Sequence, residues 1–544
     1  MHLVAKLKHD IKDESEVRLA ELELCGVCGV EFSPVRNLAD LLFREPFSRL
    51  VACRIQDWLL RLPFLGDVQG YYAVIDDVGV CVRLARRAAY FKEVYVVWAG
   101  CDERLVAEAG FEVAGDGRVV QVGDTALLFR GDGARALRIL CDQWVLESAY
   151  YAAVLSGSVG ENLERLLRHL NWGVCRSPMV GAKGSVEDYA DSHSVGKSAE
   201  SKYLTHGIHP YHGKFFARMA RALINFMGLG GEDKLLDPFC GSGTTLLEAS
   251  LLGIRSLGVD VNPLACMISR AKVGALQLDV DEIRRAYSSL LPVVRAERGQ
   301  TALVDVKLPP EPWSPVEVAA VCLSAALEGR GRVRRPRDLE KAYESEFNRL
   351  IRQLEAFSIL RRKLGVKLAP VEVIQADIME LDMEGEFDAL LTSPPYIMTV
   401  DYVNEHRPSI VKLKLADSSQ LESIEAKTIG LPSRVSAVEL PESLLSYVKE
   451  APSDVRRVVA AYASDVYRAF KRIRKTLKPG AKIAVAVGKN HRFSGKLVPT
   501  TAIVKKALEE AGYRITEVLE IKCPGLSAFK RGDWIECIIL GERI

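Results

Sequence analysis

The segment Asp237-Pro-Phe-Cys-Gly-Ser-Gly-Thr-Thr245 has the residue types of a ligand-binding turn. Gly241 and Gly243 permit a tight turn and let the backbone approach a ligand with no Cβ in the way. The helix predicted to follow offers free N–H groups that suit a carboxylate. A phosphate loop is excluded because no lysine follows the second glycine. Asp260 ends the next predicted strand, where an acid commonly binds ribose hydroxyls. The combination predicts an adenosine-containing ligand with an amino-acid-like tail.

A second segment, Thr392-Ser-Pro-Pro-Tyr396, follows another predicted strand. Its two prolines fix φ and donate no hydrogen bonds, so they should hold the chain extended. We expect the Ser393 hydroxyl and the Pro394 carbonyl to point outward as acceptors, and the Tyr396 ring to offer a flat face for stacking. Two acceptors beside a ring suit an exocyclic amine on a flat heterocycle.

The elements around both segments alternate between strand and helix from residue 203 onward. Strands are predicted at 234–237, 256–260, 371–377, 387–391 and 481–487, and helices at 244–252 and 464–477. Such alternation predicts an α/β fold with a doubly wound, Rossmann-like parallel sheet. Two final strands, 513–521 and 534–540, predict a terminal antiparallel hairpin.

Changes in composition divide the chain. Residues 1–175 are predicted to form a separate α/β domain, with strands at 70–79 and 94–100 around a helix at 80–88. This domain is a candidate for substrate binding. Residues 176–202 are rich in Ser and Gly and poor in apolar residues, which predicts a linker. The third part is 203–544, interrupted by a helical insertion at 275–370 and an irregular, polar, variable segment at 397–455.

The insertion contains one long amphipathic pattern. Its apolar residues recur at three- and four-residue steps, which predicts one buried helix face. These residues are Tyr343, Phe347, Leu350, Ile351, Leu354 and Phe357.

Together, the two motifs resemble those of the S-adenosylmethionine-dependent DNA amino-methyltransferases, of the cytosine-N4 and adenine-N6 type. These enzymes are related in fold to the archaeal tRNA guanine-N2 methyltransferases. The resemblance covers residues 203–544 without the insertion, and further matching segments are 206–215, 401–402, 487–490, 494–495 and 498–499. Ser393 stands where the adenine-N6 and RNA enzymes usually have Asp or Asn and where the cytosine-N4 enzymes usually have Ser.

The resemblance implies S-adenosylmethionine as cofactor and a role for each matching residue. Asp237 and Phe239 would lie by the methionine portion, and Asp260 would hold the ribose. The carboxylate pocket would be shaped by Gly241, Gly243 and Thr244. Asn262 and Pro263 would flank the adenine, and Asp377 would accept from its amino group. The methyl-acceptor site would consist of Ser393, Pro394, Pro395 and Tyr396.

The implied reaction is direct transfer of the methyl group to an exocyclic base nitrogen. The lone pair of that nitrogen is delocalised into the ring, so acceptors at Ser393 and Pro394 would favour its rehybridisation, and proximity would supply much of the rest. No cysteine nucleophile is required, and Cys240 is expected to be a packing residue. DNA is the preferred substrate, with cytosine N4 ahead of adenine N6.

Two other interpretations stay open. The first is a tRNA guanine-N2 methyltransferase whose N-terminal domain binds RNA, because residues 80–97 faintly resemble that region of those enzymes. The second is a non-catalytic, methylase-like binding module. The cofactor-binding residues listed above argue against the module, and its test is whether the protein binds the cofactor.

The composition limits the protein class. A net charge of +2 requires any nucleic-acid surface to be local. Such a surface is predicted in 451–544, with 19 Lys and Arg against 9 Asp and Glu, and in a second cluster. This cluster consists of Arg330, Arg332, Arg334, Arg335 and Arg337.

The cysteines and histidines predict neither a disulfide framework nor a metal site. Twelve cysteines are spread over 544 residues, with one CxxC at Cys25 and Cys28. Four histidines lie close together in sequence, at His193, His206, His209 and His212, without a carboxylate at fixed spacing. No signal peptide or membrane-spanning run is recognised, so we expect a cytoplasmic protein.

Overall fold

A computed structural model gives the three-dimensional structure. The residues that it describes are 1–8, 11, 14–37, 41, 44–53, 55, 68–154, 158–172, 203–296, 310–329, 336–397, 401–431, 440–493, 496–523 and 534–544. The predicted linker 176–202, His193, Arg330 to Arg335 and residues 494–495 therefore lie outside the described residues.

The chain forms two compact units. The first consists of Met1–Leu204, Arg221–Gly228 and Glu355–Val366. The second consists of Thr205–Ala220, Leu229–Leu354 and Lys367–Ile544.

The first unit contains a seven-stranded antiparallel sheet. Its strands are β1 (His2–Leu7), β2 (Ser33–Val35), β3 (Gly70–Val74), β4 (Phe91–Ala99), β5 (Val119–Gly123), β6 (Ala126–Gly131) and β7 (Ala134–Leu140), in the order β2-β3-β1-β4-β7-β6-β5. Its helices are α1 (Glu14–Cys28), α2 (Val78–Arg87), α3 (Arg104–Glu108), α4 (Asp142–Val154) and α5 (Val159–Trp172), with a 3₁₀ turn at Phe47–Cys53. The predicted strand–helix–strand pattern is observed as β3, α2 and β4.

The second unit is built on a mixed, mainly parallel sheet. Its strands are β8 (Lys234–Asp237), β9 (Arg255–Asp260), β10 (Val371–Gln375), β11 (Phe387–Thr392), β12 (Leu477–Gly488), β15 (Tyr513–Cys523) and β16 (Trp534–Arg543), in the order β10-β9-β8-β11-β12-β16-β15. A separate ribbon pairs β13 (His491–Phe493) with β14 (Lys496–Val498).

This sheet confirms the predicted α/β fold. Strands β8 to β12 pair in parallel, and β16 is antiparallel to both β12 and β15. The chain moves from β8 to β10 in one direction along the sheet and continues from β11 in the other. Parallel sheets bind ligands beside the carboxyl ends of strands at such a reversal, here between β8 and β11.

The remaining described helices belong to the second unit or contribute to both units. They are α6 (Ala217–Met227), α7 (Thr244–Leu251), α8 (Pro263–Gly274), α9 (Val280–Ala296), α10 (Pro315–Glu328), α11 (Pro336–Leu364), α12 (Tyr402–Glu405), α13 (Arg407–Lys412), α14 (Ser418–Lys427), α15 (Glu442–Glu450), α16 (Arg456–Thr476) and α17 (Thr500–Glu510), with a 3₁₀ turn at Leu204–Gly207. The predicted apolar stripe of α11 is buried along its whole length. None of the helices in the described ranges has the length and apolarity of a membrane span.

The expectation of an irregular segment at 397–455 is wrong, because this segment contains the four helices α12 to α15. These helices have 4 to 10 residues, too few for a clear apolar period. Local polar bonds begin two of them. Asp401 accepts from the Asn404 amide, and Asp417 forms a capping box with Gln420.

Candidate active site

A cleft of about 710 Å³, counted to its open mouth, lies beside the carboxyl ends of β8, β9, β10 and β11. This is the position that the reversal of strand order predicts. The sequence-predicted residues that line it are Phe239, Gly241, Asp260, Asn262, Asp377, Ser393 and Pro395. Those that do not line it are Asp237, Gly243, Thr244, Pro263, Pro394 and Tyr396.

The glycine-rich loop is fixed against helix α8. Gly243 has a φ of 73°, and a Cβ added there would lie 2.8 Å from the Ser269 Cβ. The Ser269 hydroxyl donates to the Gly241 carbonyl at 2.7 Å. Gly243 therefore allows the glycine-rich loop to pack closely against α8. Thr244 is the first residue of α7 and is buried. Of the three residues with an implied role in the carboxylate pocket, only Gly241 lines the cleft, and the role of Gly243 and Thr244 stays a prediction.

The Cys240 thiol is packed inside this loop. It is buried, and its Sγ lies 3.9 Å from the Ser269 hydroxyl. Burial raises the pKa of the thiol well above its ordinary value. A thiol that stays protonated is a poor nucleophile, which agrees with the expected packing role.

Asp237 joins two strands at the reversal point and does not reach the cleft wall. Its Oδ1 accepts from the Thr392 hydroxyl at 2.7 Å and from the Phe239 amide at 3.3 Å. Burial raises its pKa to about 6, and the charge of Asp260 adds to the rise while the hydrogen bonds oppose it. Asp237 thus orients the turn after β8 relative to β11, and its contact with the methionine portion stays a prediction.

Asp260 does line the cleft. Its Oδ2 accepts from the Gly241 amide at 3.0 Å, and its Oδ1 accepts from the Asn262 amide at 2.9 Å. Burial raises its pKa to about 6 against these backbone bonds. Each carboxylate oxygen has two lone pairs, so the group retains acceptor capacity for hydroxyls in the cleft.

Helix α8 begins at the cleft. The Asn262 Oδ1 accepts from the Leu264 amide at 2.9 Å and caps the helix, while its Nδ2 donates to the Tyr402 carbonyl at 3.4 Å. Pro263 is the first helical residue and is buried. A proline is favoured there because its fixed φ suits a helix start. Pro263 therefore helps to start the helix, and its implied contact with adenine stays a prediction.

Asp377 follows β10 and lines the cleft between two apolar neighbours, Ala376 and Ile378. Its Oδ1 accepts from the Met379 amide at 3.0 Å. A carboxylate flanked by apolar surface suits a flat heterocycle that carries an amino group.

Two of the four residues of the predicted acceptor segment line the cleft. Ser393 and Pro395 line the cleft, whereas Pro394 is buried. The Tyr396 hydroxyl donates to the Glu536 carboxylate at 2.6 Å, and its ring packs against the hydrophobic core of the second unit. This anchoring explains why Tyr396 is not a cleft-lining stacking face. Glu536 was not predicted from the sequence.

Two tyrosines of the cleft wall had no predicted role. Tyr211 stacks on Tyr402 with ring centroids 5.8 Å apart and on His406 at 4.6 Å. Burial raises the pKa of Tyr211 well above its ordinary value. Both tyrosines line the cleft. The signal was present, because Tyr211 and Tyr402 belong to segments that resemble the methyltransferases.

The histidines close in sequence have separate partners. His206 pairs with Glu248 at 2.6 Å, His209 with the Ser324 hydroxyl at 2.9 Å, and His212 with Glu405 at 2.6 Å. Burial lowers the pKa of His206 and of His209. Across the described ranges, no three His, Cys, Asp or Glu residues are grouped as a metal site would require.

Many cations of residues 451–544 are engaged within the protein. Arg472 donates to the Leu381 carbonyl at 2.6 Å, and Arg474 to the Ile544 carbonyl at 2.7 Å. Lys478 pairs with Asp388 at 2.6 Å. The positive charge in this region is therefore less available for phosphate than its count suggests.

Comparison with known proteins finds similarity in part of the chain. Residues 209–287 match the UPF0020 family, described as RMKL-like, methyltransferase domain. The matched range contains the glycine-rich loop, Asp260 and the start of α8.

The individual relatives include both Type II methyltransferases and a tRNA methyltransferase. The Type II methyltransferase M.BsoBI of Geobacillus stearothermophilus is 21% identical over 419 residues, which are 60% of this chain and 82% of that protein. The Type II methyltransferase M.MjaII of Methanocaldococcus jannaschii is 36% identical over 87 residues, 16% of each chain. The tRNA (guanine(10)-N2)-dimethyltransferase of Methanothermobacter thermautotrophicus is 42% identical over 52 residues, 10% of this chain and 16% of that one.

The protein is a methyltransferase, and S-adenosylmethionine is its cofactor. The cleft fits this molecule chemically. Asp260 offers acceptors for ribose hydroxyls, Asp377 offers an acceptor for the adenine amino group, and Phe239 contributes apolar surface.

Proposed function

We propose that the protein methylates an exocyclic amine of a DNA base, with cytosine N4 preferred over adenine N6. The observation that carries the proposal is the position of Ser393 in the wall of the cleft that Asp260 and Asp377 also line. A substrate amine beside Ser393 would share one cavity with the cofactor. The match to M.BsoBI over 82% of that protein supports a DNA substrate, because Type II methyltransferases act on DNA.

The chemistry places simple demands on these residues. The bound cofactor supplies an electrophilic methyl group. The amine nitrogen gains this methyl group and releases one proton, so the lone pair must be directed out of the ring plane. An acceptor at the Ser393 Oγ would hold one N–H of the amine and favour that geometry.

Ser393 also supports the choice of base. Its neutral hydroxyl resembles the residue of cytosine-N4 enzymes, whereas Asp or Asn would resemble adenine-N6 or RNA enzymes. A base inside a duplex cannot reach this cleft, so the proposal includes extrusion of the target base from the stack.

A tRNA guanine-N2 methyltransferase is the second candidate. The short match at 42% identity to a tRNA (guanine(10)-N2)-dimethyltransferase favours it, as does the presence of a separate first unit. In both cases we propose that the first unit serves substrate capture. A lack of cofactor binding in calorimetry would instead favour a non-catalytic binding module.

The test is incubation with methyl-labelled cofactor and separate DNA and tRNA pools, followed by nucleoside digestion and mass spectrometry. We expect labelled N4-methylcytosine from DNA. The label should decrease with Ser393→Ala, without being lost, and stay at the wild-type level with Ser446→Ala, at an exposed serine of α15. Labelled N2-methylguanosine from tRNA, with unlabelled DNA, would refute the DNA proposal and favour the second candidate.

A further inference from the structure

We propose that Glu536 is a positioning residue of the methyl-acceptor site, which acts on Ser393 through the hydroxyl of Tyr396. The inference rests on the proposed function and adds to it a residue from the last strand of the sheet. Glu536 lies 140 residues after Tyr396 in the chain.

Three hydroxyl and carboxylate groups form a continuous path from the core to the cleft. The Ser393 hydroxyl donates to the Tyr396 Oη at 3.4 Å. The Tyr396 hydroxyl donates to the Glu536 Oε1 at 2.6 Å. Only Ser393 of these three lines the cleft. Glu536 can therefore influence a substrate amine through Tyr396 and Ser393 without touching it.

The strand that carries Glu536 holds it firmly. β16 lies between two neighbours, with Glu536 opposite Gly488 of β12 and Ile521 of β15. The side chain is 6% exposed. Glu536 is a buried carboxylate on an inner strand, so its side chain has little freedom to move. The Tyr396 hydroxyl therefore has a fixed acceptor.

The direction of the two bonds follows from protonation. Burial raises the pKa of Tyr396 well above its ordinary value, and Glu536 raises it further. Tyr396 is therefore a phenol that donates to Glu536, and its oxygen can accept the Ser393 proton. The lone pairs of Ser393 then remain for the N–H of a substrate amine. Hydrogen bonds in such a chain polarise one another, so the charge of Glu536 makes the Ser393 oxygen a better acceptor.

A purely structural role explains this arrangement less well. A buried carboxylate costs free energy unless its hydrogen bonds compensate for desolvation. The neighbours of Glu536 in β16 are Ile535 and Cys537, and Cys537 is buried. An apolar residue beside a phenylalanine would fill the same space without that cost. The carboxylate–phenol pair is instead joined to a residue of the cleft.

The experiment measures single-turnover methyl transfer at saturating cofactor, on the polymer that the wild-type protein labels. Glu536→Gln retains an acceptor for Tyr396 but removes the charge, and we expect a transfer rate about tenfold lower. Tyr396→Phe should lower the rate by a similar factor. Cofactor affinity should stay at the wild-type value in both variants, because neither side chain lines the cleft.

The matched control is Glu542→Gln. Glu542 lies on the same strand, six residues further on, and pairs with Arg514. This variant should keep the wild-type rate. It measures how the transfer rate changes when β16 loses a carboxylate that is not linked to Ser393.

A double-mutant cycle separates the relay from a general structural effect. If Glu536 acts through Ser393, then adding Glu536→Gln to Ser393→Ala should change the rate less than about twofold. Rate losses that multiply in the double variant would overturn the proposal, as would a Glu536→Gln rate equal to that of Glu542→Gln. Absence of labelling by the wild-type protein on DNA and tRNA would instead refute the proposed function, and the relay with it.

Discussion

At the scale of single residues, two buried aspartates bear different parts of one site. Asp260 faces the cleft, whereas Asp237 accepts from Thr392 and ties β8 to β11. Both have a pKa raised to about 6, chiefly by burial. The free protein therefore holds two carboxylates that are ionised near neutral pH at some cost in stability.

The first prediction concerns Asp237. Because its folded-state pKa of about 6 exceeds its ordinary value of 3.8, the group favours folding below pH 3.8, and this contribution is lost as pH rises through 6. Asp237→Asn avoids the buried charge and keeps an acceptor for Thr392. We expect its stability relative to wild type to be greater at pH 7.5 than at pH 4.5, by on the order of 2–3 kcal/mol.

The measurement is the thermal midpoint of the cofactor-free protein at both pH values, with Asp281→Asn at an exposed carboxylate as control. A relative stability of Asp237→Asn that is the same at both pH values would contradict the prediction.

The second prediction concerns Gly243→Ala. A left-handed φ costs a non-glycine residue about 1–2 kcal/mol, and the added Cβ would also meet Ser269 at 2.8 Å. Gly253→Ala has the same strain, with a φ of 75°, but no atom within 4 Å of the added Cβ. In calorimetric titrations, we expect Gly243→Ala to lose cofactor affinity at least tenfold relative to Gly253→Ala, since the loop must shift by a sizeable part of an ångström. Equal affinities would show that Ser269 does not constrain the loop.

At the scale of elements, the parallel strands were predictable because each contains a short apolar run, and β8 to β11 also end near an acid or a proline. The helices of 397–455 were not, because they are short and begin with local polar bonds. Glu536 left one sequence signal, a charge inside the otherwise apolar run 534–540. Its partner Tyr396 could not be inferred, because Tyr396 follows β11, and the order of the whole sheet places β12 between β11 and β16.

The third prediction concerns the cap of α8. Asn262→Ala and Ser314→Ala each remove a side chain that caps a helix, α8 and α10 respectively. Each should cost about 1 kcal/mol of stability. Only Asn262 lines the cleft. We therefore expect cofactor affinity to fall about fivefold in Asn262→Ala, the factor that corresponds to 1 kcal/mol. Affinity measured by calorimetry should be unchanged in Ser314→Ala, and a similar fall in both variants would assign the effect to general destabilisation.

At the scale of the whole molecule, the first unit draws on three stretches of the chain. Asn225 donates to Glu23 at 2.7 Å across 202 residues of sequence, and Arg221 donates to the Arg87 carbonyl at 2.7 Å. Contacts over such distances leave no local pattern. For that reason the sequence could not assign Arg221–Gly228 to the first unit.

The fourth prediction concerns phosphate contacts. The cluster Arg330 to Arg337 stays the predicted contact surface, since Arg472 and Arg474 already bond within the protein. Replacing Arg332, Arg334 and Arg335 by Ala should weaken DNA binding for all sequences. The slope of log affinity against log salt should become shallower by about 2–3, at about 0.9 per lost phosphate contact. Arg472→Ala should leave the slope unchanged in filter-binding titrations, and an unchanged slope in the triple variant would exclude the cluster.

The place of Glu536 in the chain has a consequence for biosynthesis. Every residue of the cleft wall has been made by Ile429, but Glu536 follows Tyr396 by 140 residues, which take roughly 7–28 s to translate at roughly 5–20 residues per second. A nascent chain would thus complete its cofactor side while its acceptor side still lacks the carboxylate. Ribosome-bound chains stalled after α17 should therefore bind the cofactor, but they should transfer methyl groups poorly. Cofactor binding that begins only after β16 has left the ribosome would contradict this prediction. It would show that the whole sheet must assemble before the cleft forms.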